Sequence, residues 1–591
     1  MSATHGPLCI LAGAGTGKTT TITRRIAWQV ASGAFASQHI VAVTFTDKAA
    51  RQLRARLGAL GVDGVRASTF HSAALSLLRH FEGDPGRILS SKAVLLRRIG
   101  NALPAPFKFR PAGDLATEIE WAKNRRLMPE TYRDGLGHHE PPIPPDLMLR
   151  VFSEYERRKS AEGAIDFEDL LERTVRRLES DEQARVTVHE RWRAFTVDEY
   201  QDVNLLQQSL LDLWLGDRDE LCAVGDDYQA IYGFTGASAG WLLALPQRFP
   251  HAQVVWLERN YRSTPQVLEL ANRLVPRLGG SAKTLAPTVP GGPEPLVGPC
   301  LDVAEHVHRL HAEGLPLEEM AVLVRTNART SEFEEAFHEA GIPFQGASLL
   351  ARDAARQLLR ALRGLRGPAA EIVRGLAVAQ GLLAEIPDKL GEREQTRQAD
   401  LARLVRLAEA FDGEVDGFVA LLHERFGESA GKGVHLLTLH RAKGLEWDAV
   451  LLPRVEEGEL PVRRGDVDEE RRLFYVGLTR AKRHLLVTWE GKPSRFLAEL
   501  GVRAAAPPLA KSERTALPQT PAVAALKEWR LARARAEEVP AYVVFNDRTL
   551  AELVAREPRT LAELAAVPGI GPAKLERYGP ELLARLADLA A

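Results

Sequence analysis

Over the first 270 residues, short β-branched and aliphatic runs alternate with amphipathic stretches. That rhythm predicts a parallel α/β sheet with helical crossovers. Strands are expected at 8–12, 40–45, 65–69, 195–198, 221–224 and 254–257. Between Thr69 and Phe195 the pattern is helical, and the prolines of HHEPPIPPD must interrupt any helix there. A second α/β rhythm is expected at 320–324, 434–439, 449–452 and 484–488. A helical, Leu/Arg/Ala-rich block over 351–430 interrupts it. After residue 500, GVRAAAPPLAKSERTALPQTPA reads as a Pro/Ala-rich linker, and a compact helical pattern then resumes around PGIGPAK.

At roughly 150 residues per domain, 591 residues suggest about four domains. Hydrophobic residues are 45% and charged residues 26%, which excludes a largely disordered, collagen-like or coiled-coil chain. The apolar runs LCILA, IVAVTF and AVLLP are too short to span a membrane. Met1 is followed by SATHGP rather than a signal-peptide core. Cys9, Cys222 and Cys300 are too scattered for a disulfide framework or a four-thiolate zinc site. The chain therefore reads as cytoplasmic, with no membrane and no zinc. Its net charge of −1 requires any nucleic-acid contact to come from local patches.

The segment LCILAGAGTGKTT carries the most chemistry. A strand enters a glycine-rich turn, Ala12-Gly13-Ala14-Gly15-Thr16-Gly17, and Lys18 and Thr19 open the following helix. Backbone N–H groups in such a turn cradle phosphates, helped by the positive end of the helix. Lys18 would reach the terminal phosphates and the Thr19 hydroxyl would ligate Mg²⁺. Farther on, a strand ends in Asp198-Glu199. The first carboxylate can hold Mg²⁺ and the second can orient the hydrolytic water. Alone, an acidic pair is usually a solvated strand end; beside a phosphate loop it reads as ATP hydrolysis.

Read in order, AGAGTGKT, AVTFTDKAA, STFHS, VDEYQD, VGDDYQAIYGFTGA, LERNYRST, LLTLHRAKGLEWDAV and EERRLFYVGLTRAK resemble the motif series of superfamily 1 helicases of the UvrD/Rep/PcrA branch. The resemblance runs from residue 8 to about 490. It implies an α/β fold with two RecA-like parallel-sheet motor domains clamping ATP, each carrying a helical insertion. The first motor domain would span 1–72 and 166–270, with its insertion at 73–165. The second would span 271–350 and 431–500, with a short insertion at 351–430 and a linker over 501–522. Residues 523–591 resemble the HRDC module, an all-α bundle that often binds nucleic acid. The pairing is similar to actinobacterial UvrD-like helicases, without the four-cysteine element some of them carry.

The same resemblance assigns roles. Glu199 would be the catalytic base and Gln229 the γ-phosphate sensor; Arg262 and Arg480 would be arginine fingers. Tyr261 would stack on adenine and Glu446 would contact the ribose. Thr20 stands where many relatives have an arginine beside the adenine. Only seven residues precede Leu8, where relatives carry an adenine-reading glutamine segment, so either the start is lost or misplaced or base choice is relaxed. GFTGA replaces a Trp-Arg pair, leaving Phe234 to stack and Thr235 without a charge for phosphate. The DNA track would comprise Phe45, Thr46, Lys48, Thr69, His71, Tyr232, Phe234 and His440. A core place within its strand is the alternative for Phe45, and helix or segment capping the alternative for His71 and His440.

The motifs read as an ATP- and Mg²⁺-dependent DNA helicase or single-stranded DNA translocase of repair, recombination or replication, and the resemblance, not the residues themselves, implies 3′ to 5′ movement. Its partners would be single-stranded, tailed or forked DNA, with repair or replication proteins reached through the C-terminal module. Lys527, Arg530, Arg533, Arg535 and the PGIGPAK turn are that module's candidate phosphate contacts. Two alternatives stay open: the motor of a helicase–nuclease complex, and a translocase that strips proteins from DNA. The shortened second insertion bears on processive unwinding more than on translocation. A non-catalytic scaffold is the rival from another class, and the intact ATP motifs argue against it.

Overall fold

The runs LCILA, IVAVT, AFTV and LCAVG are buried on both faces, as central strands of a helix-covered parallel sheet must be. In the computed structural model they are β1 (Leu8–Ala12), β2 (Ile40–Thr44), β4 (Ala194–Val197) and β5 (Leu221–Gly225). β3 (Arg66–Thr69) and β6 (Gln253–Leu257) complete a six-stranded sheet in the order β3-β2-β4-β5-β1-β6. Every pairing in it is parallel. The structure describes residues 3–590, apart from 105–106, 108–111, 347–348, 384–391, 427–432, 464, 503–520, 537–543, 546, 568–569 and 571. Most of the expected linker lies outside the described residues, as do Pro568, Gly569 and Gly571 of PGIGPAK.

The chain forms two compact units: residues 1–297 with 442–487 and 494–503, and residues 298–441 with 488–493 and 504–591. The first contains the six-stranded sheet. It also contains the parallel pairing of β10 (Trp447–Leu452) with β11 (Ala481–Trp489) as far as Val487, and the connection between them carries the helix Val467–Leu478. The second contains β7 (Met320–Val324), β8 (Phe344–Gly346) and β9 (Val434–Thr438), parallel in the order β7-β9-β8. Pro141, Pro142 and Pro144 of HHEPPIPPD stand between the helices Pro129–Tyr132 and Pro145–Ala161, and Pro145 opens the second of them. No helix among the described residues is long and apolar enough to cross a membrane.

Several strand bounds shift by one to three residues from the sequence pattern, and two of the shifts bear on the site. β2 stops at Thr44, so Phe45 is not a core strand residue; it lies in the turn beyond and is 39% exposed. The hydrophobic run continues past the strand because an exposed aromatic follows it directly. β4 ends at Val197, which leaves Asp198 just beyond the sheet. β8, with the sequence FQG, carries no β-branched run, and its pairing with β9 rather than local propensity makes it a strand.

In the first unit, Lys123 and Lys159 are buried among Asp166, Asp169 and Glu156. The three carboxylates approach one another closely enough to hold a cation. Two ammonium groups supply that charge, tying the helices Ala112–Asn124 and Pro145–Ala161 to the capping box at Asp166.

In the second unit the helices Asp353–Leu362, Ala369–Ala379, Glu392–Glu409 and Val415–Phe426 share one apolar core with the C-terminal helices Pro521–Ala536, Asp547–Arg556, Leu561–Ala565 and Pro572–Ala590. A buried polar bridge spans the two groups. Arg374 donates to the Tyr578 hydroxyl at 3.1 Å and pairs with Glu409, and the Lys574 ammonium lies 3.4 Å from the same carboxylate. Burial holds Lys574 below its ordinary value, with Glu409 opposing.

Tyr578 also packs against Trp529 and Phe545. Truncating so large a buried side chain costs about 3–5 kcal/mol. Tyr578→Ala is therefore expected to lower the urea midpoint, and to speed amide exchange over 401–409 as well as over 521–590. Exchange confined to the C-terminal helices would refute the shared core.

Candidate active site

In open α/β sheets ligands bind beyond the carboxyl ends of the strands, and four site segments of the first unit start there. β1 leads into the glycine loop and helix Lys18–Ala31. Gly17, with φ 81°, is the N-cap and supplies no side-chain acceptor, which leaves first-turn N–H groups for an anion. Gly15 has φ 67°, and a Cβ there would stand 2.7 Å from Arg262 Cβ and from Asn260 Nδ2. Only glycine meets both constraints. Neighbouring groups hold the loop by its carbonyls. Asn260 Nδ2 donates to Ala14 O at 2.7 Å, the Tyr261 N–H to Gly15 O at 2.9 Å, and Thr16 Oγ1 to Gly13 O at 2.8 Å. Ala12 and Ala14 are buried, Thr19 is half-buried and Thr20 is exposed.

Asp198 and Glu199 stand just past β4, and Lys18 Nζ lies 3.4 Å from Glu199. Glu199 adopts φ 53°, a left-handed backbone that a non-glycine residue keeps only where its surroundings enforce it. Gln201 bridges here: its Nε2 donates to Glu199, and its Oε1 accepts from the Asp226 N–H at the end of β5. Burial opposes the Lys18 charge, but Glu199, Asp226 and Asp198 outweigh it and raise the ammonium. Asp198 is pushed up to about 7, by burial and then by the adjoining Glu199 charge. Glu199 moves down, because Lys18 and Lys443 overcome its burial.

Gln229 is oriented from two sides. Its Nε2 donates to Asp226 Oδ2 at 2.5 Å, and its Oε1 accepts from Arg480 Nη2 at 3.3 Å. Arg480 is 1% exposed, and its other hydrogen bonds run to Val476 O, Leu445 O and Thr479 Oγ1. These acceptors are all neutral. Burial, then the charge of Arg262, pulls Arg480 down to about 9. Arg262 pairs with Glu446 at 2.5 Å and donates to Thr479 O at 3.1 Å. Its buried Nε finds no hydrogen-bond partner among the described residues. A buried guanidinium held by neutral acceptors and an orphaned Nε fit a polyanion such as a nucleotide phosphate chain. The Asp198 carboxylate and the Thr19 hydroxyl are hard oxygen donors of the kind that suits Mg²⁺.

The structure thus gathers Lys18, Asp198, Glu199, Gln229 and Arg480 into one charged network, with Arg262 and Glu446 beside Arg480. Tyr261 is 60% exposed, its ring available for stacking. Sequence reasoning missed Asn260, Gln201, Asp202 and Lys443. Lys443 Nζ contacts Asp202 at 2.5 Å and Gln229 O at 2.6 Å, 4.9 Å from the Tyr232 ring centre. All four lie inside the strings NYRST, VDEYQD and LHRAKGLE, so the signal was present but had no local chemistry attached.

Three aromatics of the expected nucleic-acid track come together. Phe45 stacks on Tyr232 with ring centres 5.9 Å apart and planes 8° from parallel; Tyr232 meets Phe234 at 6.1 Å. Phe234 is 47% exposed. Thr46 and Thr69 are N-caps, accepting from the Ala49 and Ser72 N–H groups, and Lys48 is exposed. His71 does not cap its helix, because Thr69 does. Instead it meets Phe167 edge-on at 6.0 Å, and burial, then Lys92, pushes it down to about 4. His440 lies in the second unit, in the turn after β9.

Comparison with known proteins agrees with this geometry. Residues 1–250 match the UvrD/REP helicase N-terminal domain, 385–492 the UvrD-like helicase C-terminal domain and 519–586 the HRDC domain. The chain is 39% identical to the ATP-dependent DNA helicase UvrD2 of Mycobacterium tuberculosis, covering 98% of this chain and 96% of that protein. It is 30% identical to the UvrD1 helicase of the same species, over 84% of this chain and 83% of that one. With Bacillus subtilis PcrA it shares 28% identity, over 82% of this chain and 81% of PcrA. The chain belongs to the UvrD-like helicase family and ends in an HRDC domain.

Proposed function

We propose that this UvrD-like protein is an ATP-dependent DNA helicase that moves 3′ to 5′ along single-stranded DNA in the cytoplasm, and that tailed or forked duplexes are its substrates. One observation carries the reading. The strand-end carboxylates Asp198 and Glu199, the phosphate-loop lysine and the Gln229–Arg480 pair form a single charged network, and Asp202, Lys443 and Tyr232 join it to the aromatic stack.

Lys18, the loop N–H groups, Arg262 and Arg480 would bind the phosphates, Tyr261 would stack on the base and Glu446 would meet the ribose. Binding at Arg262 competes with its ion pair to Glu446, so the two sites exchange partners. Thr19 and Asp198 would hold Mg²⁺, which supplies charge neutralisation on the phosphate oxygens. Glu199 orients the attacking water and accepts its proton. With Lys18 beside it Glu199 is a weak base; drawing Lys18 toward phosphate removes the charge that holds it down. Gln229 links this chemistry to the DNA side, since Lys443 bridges its carbonyl to Asp202 beneath Tyr232. Repair, recombination or replication is the proposed setting.

Lys18→Ala is expected to abolish ATP turnover while largely sparing DNA affinity. Glu199→Gln should keep nucleotide and DNA binding and lose about 10²–10⁴-fold in turnover, read in a DNA-stimulated ATPase assay. Loss of nucleotide affinity in Glu199→Gln would overturn its role as base.

Phe234→Ala removes one stacking platform, worth about 1–3 kcal/mol per base, so single-strand affinity should fall roughly 5- to 150-fold by fluorescence anisotropy. Unchanged affinity would take Phe234 off the track. Strand displacement should occur on duplexes with a 3′ tail and not on those with a 5′ tail; the reverse preference would overturn the proposed polarity.

A further inference from the structure

Lys283 belongs to none of the motifs, yet it is 2% exposed and enclosed by charge. Its ammonium lies 3.0 Å from Asp226 Oδ1, pairs with Asp227 and receives support from Ser281 Oγ at 3.2 Å. It also sits 3.8 Å from the centre of the Tyr228 ring. Asp226 is fully buried and divides its two oxygens: Oδ1 faces Lys283, and Oδ2 accepts from Gln229 Nε2. A carboxylate only accepts, so this bond decides which way the Gln229 amide faces. With Nε2 on Asp226, Oε1 is the atom that meets Arg480 Nη2. Turning the amide over would set NH₂ against guanidinium, donor against donor. A buried carboxylate needs a compensating charge to hold one position, and Lys283 supplies it.

We propose that Lys283 is a positioning residue for ATP hydrolysis, acting through Asp226 to set the amide of Gln229 toward Arg480. Its second arm, through Asp227, fixes the segment it comes from. Asp227 accepts from the Ser281 N–H at 2.7 Å and from Ser281 Oγ at 2.7 Å, while the Tyr228 hydroxyl donates to Ser281 O. The lysine thus joins a segment far along the chain to the group that faces the arginine finger. The inference rests on Gln229 acting in the ATP site as proposed above.

The test is a double-mutant cycle on the full chain, reading DNA-stimulated kcat and the KM for ATP. Lys283→Met should lower kcat by about 10-fold, the scale of losses when a supporting partner is removed, with KM within about 2-fold of the parent. In a Gln229→Ala background the same change should be nearly silent, because residues acting through one another are not additive. If Lys283→Met does not fold, Asp227→Asn/Lys283→Met leaves one fewer uncompensated carboxylate and runs the same cycle. Unchanged kcat in Lys283→Met, or an equal loss with and without Gln229, would overturn the positioning role. Unchanged kcat in Gln229→Ala alone would overturn the reading of Gln229 itself, and the inference with it.

Discussion

Five carboxylates, Asp198, Glu199, Asp202, Asp226 and Asp227, crowd the ends of two neighbouring parallel strands, and water reaches few of them. Charge cannot be left alone in such a place, so each must find a cation or an aligned donor. Lys18 answers Glu199, Lys443 answers Asp202, and Lys283 answers Asp226 and Asp227 together. The three lysines come from the first helix, from the connection before β10 and from the segment after β6. Neutralising one strand edge therefore binds distant parts of the first unit to each other. Arg480 is the counterpoint: a buried cation whose hydrogen bonds all run to neutral acceptors.

Much of this site was legible in the sequence, because its chemistry is local. Gly15 and Gly17 need positive φ, Lys18 opens a helix, and Asp198-Glu199 follows a buried strand; each condition is written in adjacent residues. The compensating groups were not legible in the same way. Lys283 sits in SAKTLAP, where nothing distinguishes it from a solvated lysine until the fold carries it to Asp226. Phe45 was ambiguous for a related reason. A hydrophobic run does not reveal whether its last member still belongs to the sheet, and here hydrogen bonding ends one residue earlier.

The same logic of paired burial recurs away from the ATP motifs. Asp166 caps the helix Phe167–Ser180 and accepts from Lys123, Lys159 and the Tyr155 hydroxyl. Replacing such a network with apolar residues can be neutral or stabilising, so its presence argues for geometry rather than for raw stability. Lys92 and Glu168 extend it toward His71, whose neutrality follows from burial and from Lys92. A neutral histidine brings no positive charge, so on the proposed track a phosphate would find its cation at Lys48 and not at His71.

Residues 523–591 offered Lys527, Arg530, Arg533, Arg535 and the PGIGPAK turn as phosphate contacts, and the fold engages several of these groups elsewhere. Arg533 pairs with Glu581, Arg530 donates to Phe545 O, and Lys574 is buried beside Glu409. Of the candidate phosphate contacts whose side chains are described, Lys527 remains exposed. A lysine buried against a carboxylate, as Lys574 is, must give up that pairing to meet a phosphate, whereas the half-exposed Arg533 loses little by exchanging Glu581. Meanwhile Tyr578 and Lys574 reach the same Arg374–Glu409 pair that closes the neighbouring helices. The charge that the module buries, at Lys574, is thus used within the second unit, while Lys527, Arg556, Arg559, Arg577 and Arg585 stay exposed.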